Sequence, residues 1–459
     1  MTPADVSDHS LVRRARVRTR LDPARQVAYA ALRVVDDQDA YLNLTLPALL
    51  SAAELSGRDA AFATELANGT VRMQGRYDAM VAACVTGGPA SLQPEVLTVL
   101  RLGCHQLHAM RVPSHAAVGT SVELAREAVG ERPVRLVNAV LRRIAATILD
   151  EWLATFTPAQ RVSHPQWVID AFTEALASDG ANPSELDLLL AADNGAPAVT
   201  LAVRPGLATV ADLASYGVEP GRYSPYAGLL PSGDPGDLTE VRSGTVGVQD
   251  EGSQLAALVL ARAKVAGREA RWLDMCAGPG GKAALLIGLA RQRGATLIAA
   301  ERLPHRATLV ARALRAYPRP QAVLAADGTS PAWRAQAFDR VLVDAPCTGL
   351  GALRRRPEAR WRRQPTDLDT LVPLQRRLLE SALAAVRPGG VVAYVTCTPH
   401  LAESRGVVDA VVASRSDVAQ EDARPLLPEV DDLGPGPHVQ LWPHRHGTDA
   451  MFVAVLRRH

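Results

Sequence analysis

From about Gly244 onward the chain alternates short apolar runs with longer helical stretches, and this alternation constrains its fold more than any other feature. The runs are "RWLDMCA", "ATLIAAE", "QAVLAAD", "FDRVLVDAP", "VVAYVTC" and "MFVAVLRR", several of them β-branched. Among them lie "GGKAALLIGLARQRG" and "LQRRLLESALAAVRPGG", which read as helices. Strand–helix alternation predicts an α/β domain with a parallel, doubly wound, Rossmann-like sheet. Such sheets bind ligands outside the carboxyl ends of their strands. The acids Asp274, Glu301, Asp327 and Asp344 fall at such ends, as do the thiols of Cys347 and Cys397.

The preceding sequence is organised differently. In "PEVLTVLRLGCHQLHAM", Val96, Leu100, Cys104 and Leu107 share one helical face, and Pro94 suits a first turn. Val118, Val122 and Ala125 repeat the pattern, so residues 24–150 are expected to form an all-helical domain. Val199, Leu201 and Val203 alternate as in a strand, and "PSGDPGD" is turn chemistry. Residues 151–241 are therefore expected to be a small α+β connecting domain, leaving 242–459 for the α/β domain. Residues 1–23 read as a flexible basic arm. The stretch "RRARVRTRLDPAR", from Arg13 to Arg25, holds six arginines against one acid, Asp22.

Composition narrows the class. With 47% hydrophobic residues over 459, the chain can bury several cores. No run approaches the roughly 18 apolar residues of a membrane helix, and "MTPADVSDHS" lacks the shape of a secretory signal. Five scattered cysteines without a CxxC pair argue against a disulfide framework or structural zinc. The cytoplasm is the expected location, with no membrane partner, and nothing demands more than a monomer. A net charge of +2 means that any affinity for nucleic acid must come from local patches. Only two lysines occur, Lys264 and Lys282, in a chain that otherwise uses arginine.

"LDMCAGPGGKAAL" is a strand, a glycine turn and a helix start. Gly278, Gly280 and Gly281 allow a tight turn and close approach to a ligand. The stretch fails as a P-loop, because Cys276 stands at the first glycine position and Ala283 follows Lys282 where Ser or Thr is needed. Gly278, Gly280 and Ala283 satisfy the loose form of a dinucleotide fingerprint, so a Rossmann-type oxidoreductase is one reading. The succession of acids favours S-adenosylmethionine instead. Glu301 could take ribose hydroxyls and Asp327 an adenine amino group, while Asp344 opens a loop that carries a cysteine rather than a cradle for nicotinamide. Helix capping or loop solvation could account for any one of these acids, but less readily for all of them.

Methylating carbon 5 of a pyrimidine needs a cysteine, because that carbon is a poor nucleophile. A thiolate adding to carbon 6 makes carbon 5 enamine-like, and the thiol later leaves by elimination. The target base must also leave its stack. Cys84 and Cys104, in the helical region, read as small buried hydrophobes, and Cys276 as backbone and shape in the glycine loop. Cys347 and Cys397 differ, since strand ends followed by Thr-Gly and Thr-Pro face a cleft.

The runs "VQDEGSQLAALVL", "LDMCAGPGGKAALL", "AADG", "FDRVLVDAPCTGLGALRRRPEARWR", "VVAYVTCTPHLAES" and "GTDAMFVAVLRR" together resemble the Sun (Fmu) family of RNA cytosine-C5 methyltransferases. "RDAAFATELANGTVRMQGRYDAMV" and "RPVRLVNAVLRRIA" look like the helical NusB-like RNA-binding domain, a fusion found in the bacterial enzymes that act on 16S rRNA. The resemblance implies that Cys276, Ala277, Gly278, Pro279, Gly280, Gly281 and Lys282 line an S-adenosylmethionine site, completed by Glu301, Asp327 and Asp344. It implies that Cys397 is the nucleophile and that Cys347 assists release. Glu301 stands where Asp is commoner, Thr348 and Thr398 where Ser is usual, and Ala450 where Gly is usual.

In "ALRRRPEARWRRQ", Arg354, Arg355, Arg356, Arg360, Arg362 and Arg363 surround Trp361, a pattern suited to phosphate contact and base stacking. A solvated basic helix is the plainer reading. Arg132, Arg135, Arg142 and Arg143 offer a second basic surface for RNA. His444 and His446 read as a surface loop, since no other ligands stand at metal spacing. The expected partner is RNA, 16S rRNA first and tRNA or another RNA as the alternative. A non-catalytic RNA-binding assembly factor is the remaining reading, though it leaves complete cofactor and cysteine motifs idle.

Overall fold

A computed structural model describes residues 22–267, 269–318 and 322–459. The basic arm, up to residue 21, lies outside the described residues. Its expected end moves back slightly, because Asp22 caps the first helix by accepting from the Ala24 amide at 3.0 Å and Pro23 occupies the first turn.

The described residues divide into two compact units. The first is helical and contains residues up to 166 together with a short later segment, Arg355–Trp361. Pro94–His108 and Ser114–Ala128 form the helices that the periodicity predicts. Val96, Leu100 and Cys104 point into its core with Leu66, Met80 and Leu141. Trp361 packs against that core and donates its indole N–H to Val71 O at 3.1 Å. Gly75 makes room for the ring, since a Cβ there would stand 2.5 Å from it.

The second unit comprises 167–354 and 362–459. It opens with two helices, Gln166–Ser178 and Glu185–Asp193. An antiparallel sheet follows, with β1 (Val199–Val203), β2 (Glu219–Pro220), β3 (Ala227–Leu230) and β4 (Val246–Val248) in the order β2-β3-β1-β4. Leu201, Val203, Leu230 and Val246 give it a core of its own. Two expected boundaries shift. Residues up to 166 belong with the helices, and the small sheet runs past 241 because β4 pairs with β1.

The large sheet contains β5 (Arg271–Asp274), β6 (Thr296–Glu301), β7 (Ala322–Ala325), β8 (Phe338–Asp344), β9 (Val386–Thr396), β10 (Val418–Glu421), β11 (Val439–Gln440) and β12 (Phe452–Arg458). Its order is β10-β12-β9-β8-β5-β6-β7, with β11 on β12. The pairs from β7 through β9 are parallel, but β12 runs antiparallel to β9 and to β10. The sheet is thus mixed, not wholly parallel as the alternation predicts. Both faces are covered. Val391, Ala393 and Val395 meet the helices Glu251–Arg262 and Gly281–Gln292, while Val392 and Tyr394 meet Leu368–Ala385 and Arg405–Ala413. Alternate side chains of one strand therefore serve two cores, the mark of a doubly wound sheet. Strand order reverses between β5 and β8, which puts the ligand crevice at the ends of those two strands.

Candidate active site

The chain leaves β5 at Asp274, turns through the glycine loop and enters the helix Gly281–Gln292. Gly280 has φ +114°, and a Cβ there would meet Ala313 Cβ at 2.6 Å. At Gly278 a Cβ would stand 2.2 Å from Glu301 Oε2. That oxygen instead accepts the Gly278 amide at 3.1 Å, and Oε1 accepts the Leu303 amide at 3.0 Å. Asp327 Oδ1 accepts from the amide and hydroxyl of Thr329 at 2.8 and 2.7 Å, bonds that hold its carboxyl below the usual range. Asp344 accepts from Lys282 Nζ at 2.9 Å. Ala277 ties the loop to β6 through its amide, 2.8 Å from Ala300 O. The predicted cofactor residues thus sit on one loop and three successive strand ends.

Two acceptors in this crevice are orphans. Gln249 Oε1 is buried against Gly281 without a hydrogen-bond partner among the described residues. Asp274 is fully buried, and among the described residues neither of its oxygens reaches hydrogen-bond geometry with a donor. Burial first, then the charge of Asp344, raises its pKa to about 8, and Lys282 with the Cys276 amide opposes that only in part. Burial and the same acids push the Cys276 thiol up.

Cys347 and Cys397 come together. Their sulfurs lie 3.4 Å apart, although 50 residues separate them in sequence. Gly351 brings the two loops into register: its amide donates to Cys397 O at 2.9 Å and its carbonyl accepts from the Ala450 amide at 2.8 Å. Any Cβ at Gly351 would stand 2.1 Å from Ala450 O. The two thiols differ electrostatically. Burial alone would lower the pKa of Lys282, but Asp344, Cys397 and Asp274 outweigh it, so its cation persists with Cys397 among its electrostatic neighbours. Cys347 is pushed well up by its hydrogen bond to Cys397, by burial, and by the charges of Cys397 and Glu403.

Sequence reasoning misses Glu403 and Gln375. Glu403 is fully buried, and its Oε1 accepts from the Thr348 amide at 2.8 Å and from Gln375 Nε2 at 3.0 Å. Oε2 accepts from the Thr348 hydroxyl, which also lies 3.1 Å from Thr398 Oγ1. Gln375 Nε2 reaches Pro346 O at 2.8 Å. One carboxylate thus holds the turns that follow both cysteines. The signal was present: Thr348 and Thr398 follow the two thiols, and in "TCTPHLAES" an acid stands six residues past Cys397.

The arginine run needs correction. Arg354 is buried in ion pairs with Asp250 at 2.9 Å and Asp449 at 2.8 Å. Arg360 is fully buried and donates to Arg72 O and Ser163 O at 3.3 and 3.1 Å. Arg354 and Arg360 thus serve the interior, and Trp361 is partly buried against the helical core. Arg356 is exposed over the Tyr41 ring, 4.9 Å from its centroid, while Arg355, Arg362 and Arg363 are half-buried. Trp361→Ala is accordingly expected to destabilise the helical unit by about 2–4 kcal/mol. Thermal unfolding and RNA-binding titrations check this; lost RNA affinity with an unchanged melting temperature would return Trp361 to the RNA surface. His444 and His446 are likewise not a surface loop. His444 Nε2 lies 3.0 Å from Glu185 Oε2, and buried His446 accepts the Trp442 amide at 2.8 Å. Among the described residues no cluster could hold a metal ion, and no helix is long and apolar enough to cross a membrane.

Residues 263–457 match the family model "16S rRNA methyltransferase RsmB/F", and residues 22–146 match that of the NusB family. A Mycobacterium tuberculosis protein assigned as a methyltransferase is 52% identical, covering 95% of this chain and 97% of its own. Ribosomal RNA small subunit methyltransferase B of Pseudomonas putida is 32% identical, over 94% and 98%. The chain belongs to the RsmB/F family. The crystal structure of PH0851 shares the fold, with a TM-score of 0.78 and 21% identity over 96% of this chain and 100% of that one. RsmB/F proteins are S-adenosylmethionine-dependent rRNA methyltransferases. The crevice suits that cofactor: a glycine loop with no room for a side chain at Gly278 or Gly280, buried acceptors without donors among the described residues, and carboxylates at successive strand ends. Cys276 through Lys282, Glu301, Asp327 and Asp344 are the residues that would hold it.

Proposed function

We propose that this RsmB/F member methylates carbon 5 of a cytosine in 16S rRNA, through a covalent bond between Cys397 and carbon 6 of the base. The observation that carries this reading is the meeting of two thiols at 3.4 Å, from the ends of two different strands. N-methylation would need neither thiol. When bound, S-adenosylmethionine supplies an electrophilic methyl group. Lys282 favours the thiolate of Cys397, whose addition to carbon 6 makes carbon 5 electron-rich. Elimination then restores the ring, with Cys347 assisting the departure of Cys397. Exposed Arg132, Arg135, Arg142, Arg143 and Arg356, with half-buried Arg355, Arg362 and Arg363, are proposed to meet phosphates. The chain is expected to act in the cytoplasm as a monomer.

The test is a denaturing gel of protein incubated with transcribed 16S rRNA and S-adenosylmethionine. Cys347→Ala is expected to leave a slow RNA-bound band that the double change with Cys397→Ala lacks. A band with Cys397→Ala alone would exchange the two roles, and no band in any lane would sink the covalent reading for this RNA.

A further inference from the structure

How Cys347 assists release is open to two chemical answers, a base or a hydrogen-bond donor, and its surroundings favour one of them. The Cys347 sulfur is almost enclosed, with its contact to Cys397 Sγ at 3.4 Å. Beneath it lies the fully buried Glu403, whose carboxylate takes three donors from Thr348 and Gln375. Those bonds fix the loop from Pro346 to Gly349 and bring a negative charge close to the Cys347 thiol. Lys282 is instead an electrostatic neighbour of Cys397, with its ammonium held on Asp344. One sulfur therefore has a cation for company and the other an anion.

We propose that Glu403 is a positioning residue that holds Cys347 as a thiol, and that its S–H donates to Cys397 Sγ while that sulfur leaves the base. The proposal rests on Cys397 being the nucleophile, as argued above. On release, the proton on carbon 5 passes to a water-derived base and its electron pair forms the C5–C6 double bond. The C6–S bond breaks with its pair on Cys397 Sγ. Cys347 keeps its proton throughout and stabilises the new thiolate through the S–H···S contact. Hydrogen bonds to an ionised acceptor are the stronger kind, so this donor acts most as charge develops on the leaving sulfur. The upward push on Cys347 from Cys397, burial and Glu403 agrees with a group that stays protonated.

The two answers predict opposite results for two substitutions. Cys347→Ser keeps a donor but cannot act as a base near neutral pH. It is expected to bring the RNA-bound band within about threefold of wild type, against strong accumulation in Cys347→Ala. Equal accumulation in Ser and Ala would overturn the donor role. Glu403→Gln removes the charge and keeps an acceptor, so Cys347 loses protons more readily. The band is then expected to rise several-fold over wild type and to grow between pH 6.5 and 8.5. A band that shrinks with pH would mean that the thiolate acts as a base, which overturns the proposal. Iodoacetamide labelling of the Cys347 peptide, read by mass spectrometry in a Cys397→Ser background, separates this from a merely structural role. Its pH midpoint should fall by about one unit on Glu403→Gln, and an unmoved midpoint counts against Glu403. Should Glu403→Gln fail to fold, the Cys347→Ser arm still decides. Absence of a band in both Cys347→Ala and Cys397→Ala sinks the covalent reading itself, a band in Cys397→Ala alone exchanges the roles and overturns this inference, and equal bands in Ala and Ser sink only this inference.

Discussion

Replacing Cys397 by alanine is expected to abolish methyl transfer to 16S rRNA, by about 10⁴-fold or more, while S-adenosylmethionine binding stays within about twofold. The loss is large because no other group stands where the attacking sulfur does. Cys347 is nearest, but its burial and the charge of Glu403, both of which remain when the Cys397 sulfur is gone, still push its thiol upward. The substitution is also clean. The backbone of Cys397 is anchored independently of its side chain, since its carbonyl accepts the Gly351 amide at 2.9 Å. The glycine loop, Glu301 and Asp327 do not depend on the sulfur for their bonds. Single-turnover transfer of a labelled methyl group, beside calorimetric binding of the cofactor, measures both quantities. Residual transfer within 100-fold of wild type would mean that Cys397 is not the nucleophile.

Asp274→Asn is expected to stabilise the cofactor-free protein, by an amount that depends on pH. The Asp274 carboxyl has a folded-state pKa of about 8, raised from 3.8 by burial and by Asp344. Between pH 4 and 8 the unfolded chain has lost a proton that the folded protein keeps. The folded state thus binds more protons, and stability falls as pH rises through that window. The contribution of the protonated acid is complete below about pH 4 and gone once pH passes about 8. Asparagine is neutral throughout and has no such slope. Variant and wild type should therefore unfold alike near pH 4, with the variant ahead by on the order of 3 kcal/mol at pH 7. Urea unfolding at several pH values checks the sign. A variant less stable than wild type at pH 7 would mean that the carboxylate is ionised and paired in the fold.

What the sequence made legible depended on whether a signal was local. β5, β6, β8, β9 and β12 stand where apolar runs predict strands, because each is buried on both faces, while β7 was legible from its apolar run although it is an edge strand with no buried residue. β10 escaped notice because "VAQE" is an edge strand with one buried residue, and β11 and β2 are two residues each. The reversed direction of β12 has no counterpart in composition, since "MFVAVLRR" would be equally apolar in either sense. In the site, the cysteines and acids were visible because they end strands. Glu403 was not, because its main partner, Thr348, is 55 residues away. Arg354 was misread for the same reason: its acids Asp250 and Asp449 lie 104 and 95 residues away, and an arginine count does not distinguish a solvated guanidinium from a buried one. Trp361 looked like a stacking platform only while its indole had no known place in a core.

The membership of Arg355–Trp361 in the helical unit bears on the order in which the protein can mature. Ribosomes synthesise from the amino terminus at about 5–20 residues per second, so residue 361 emerges roughly 10–40 s after residue 166. For that interval the nascent helices lack the indole over Gly75 and the guanidinium that satisfies Arg72 O and Ser163 O. A fragment cut at residue 166 would carry the same gap permanently. The first-made part of this chain is thus among the last to be finished.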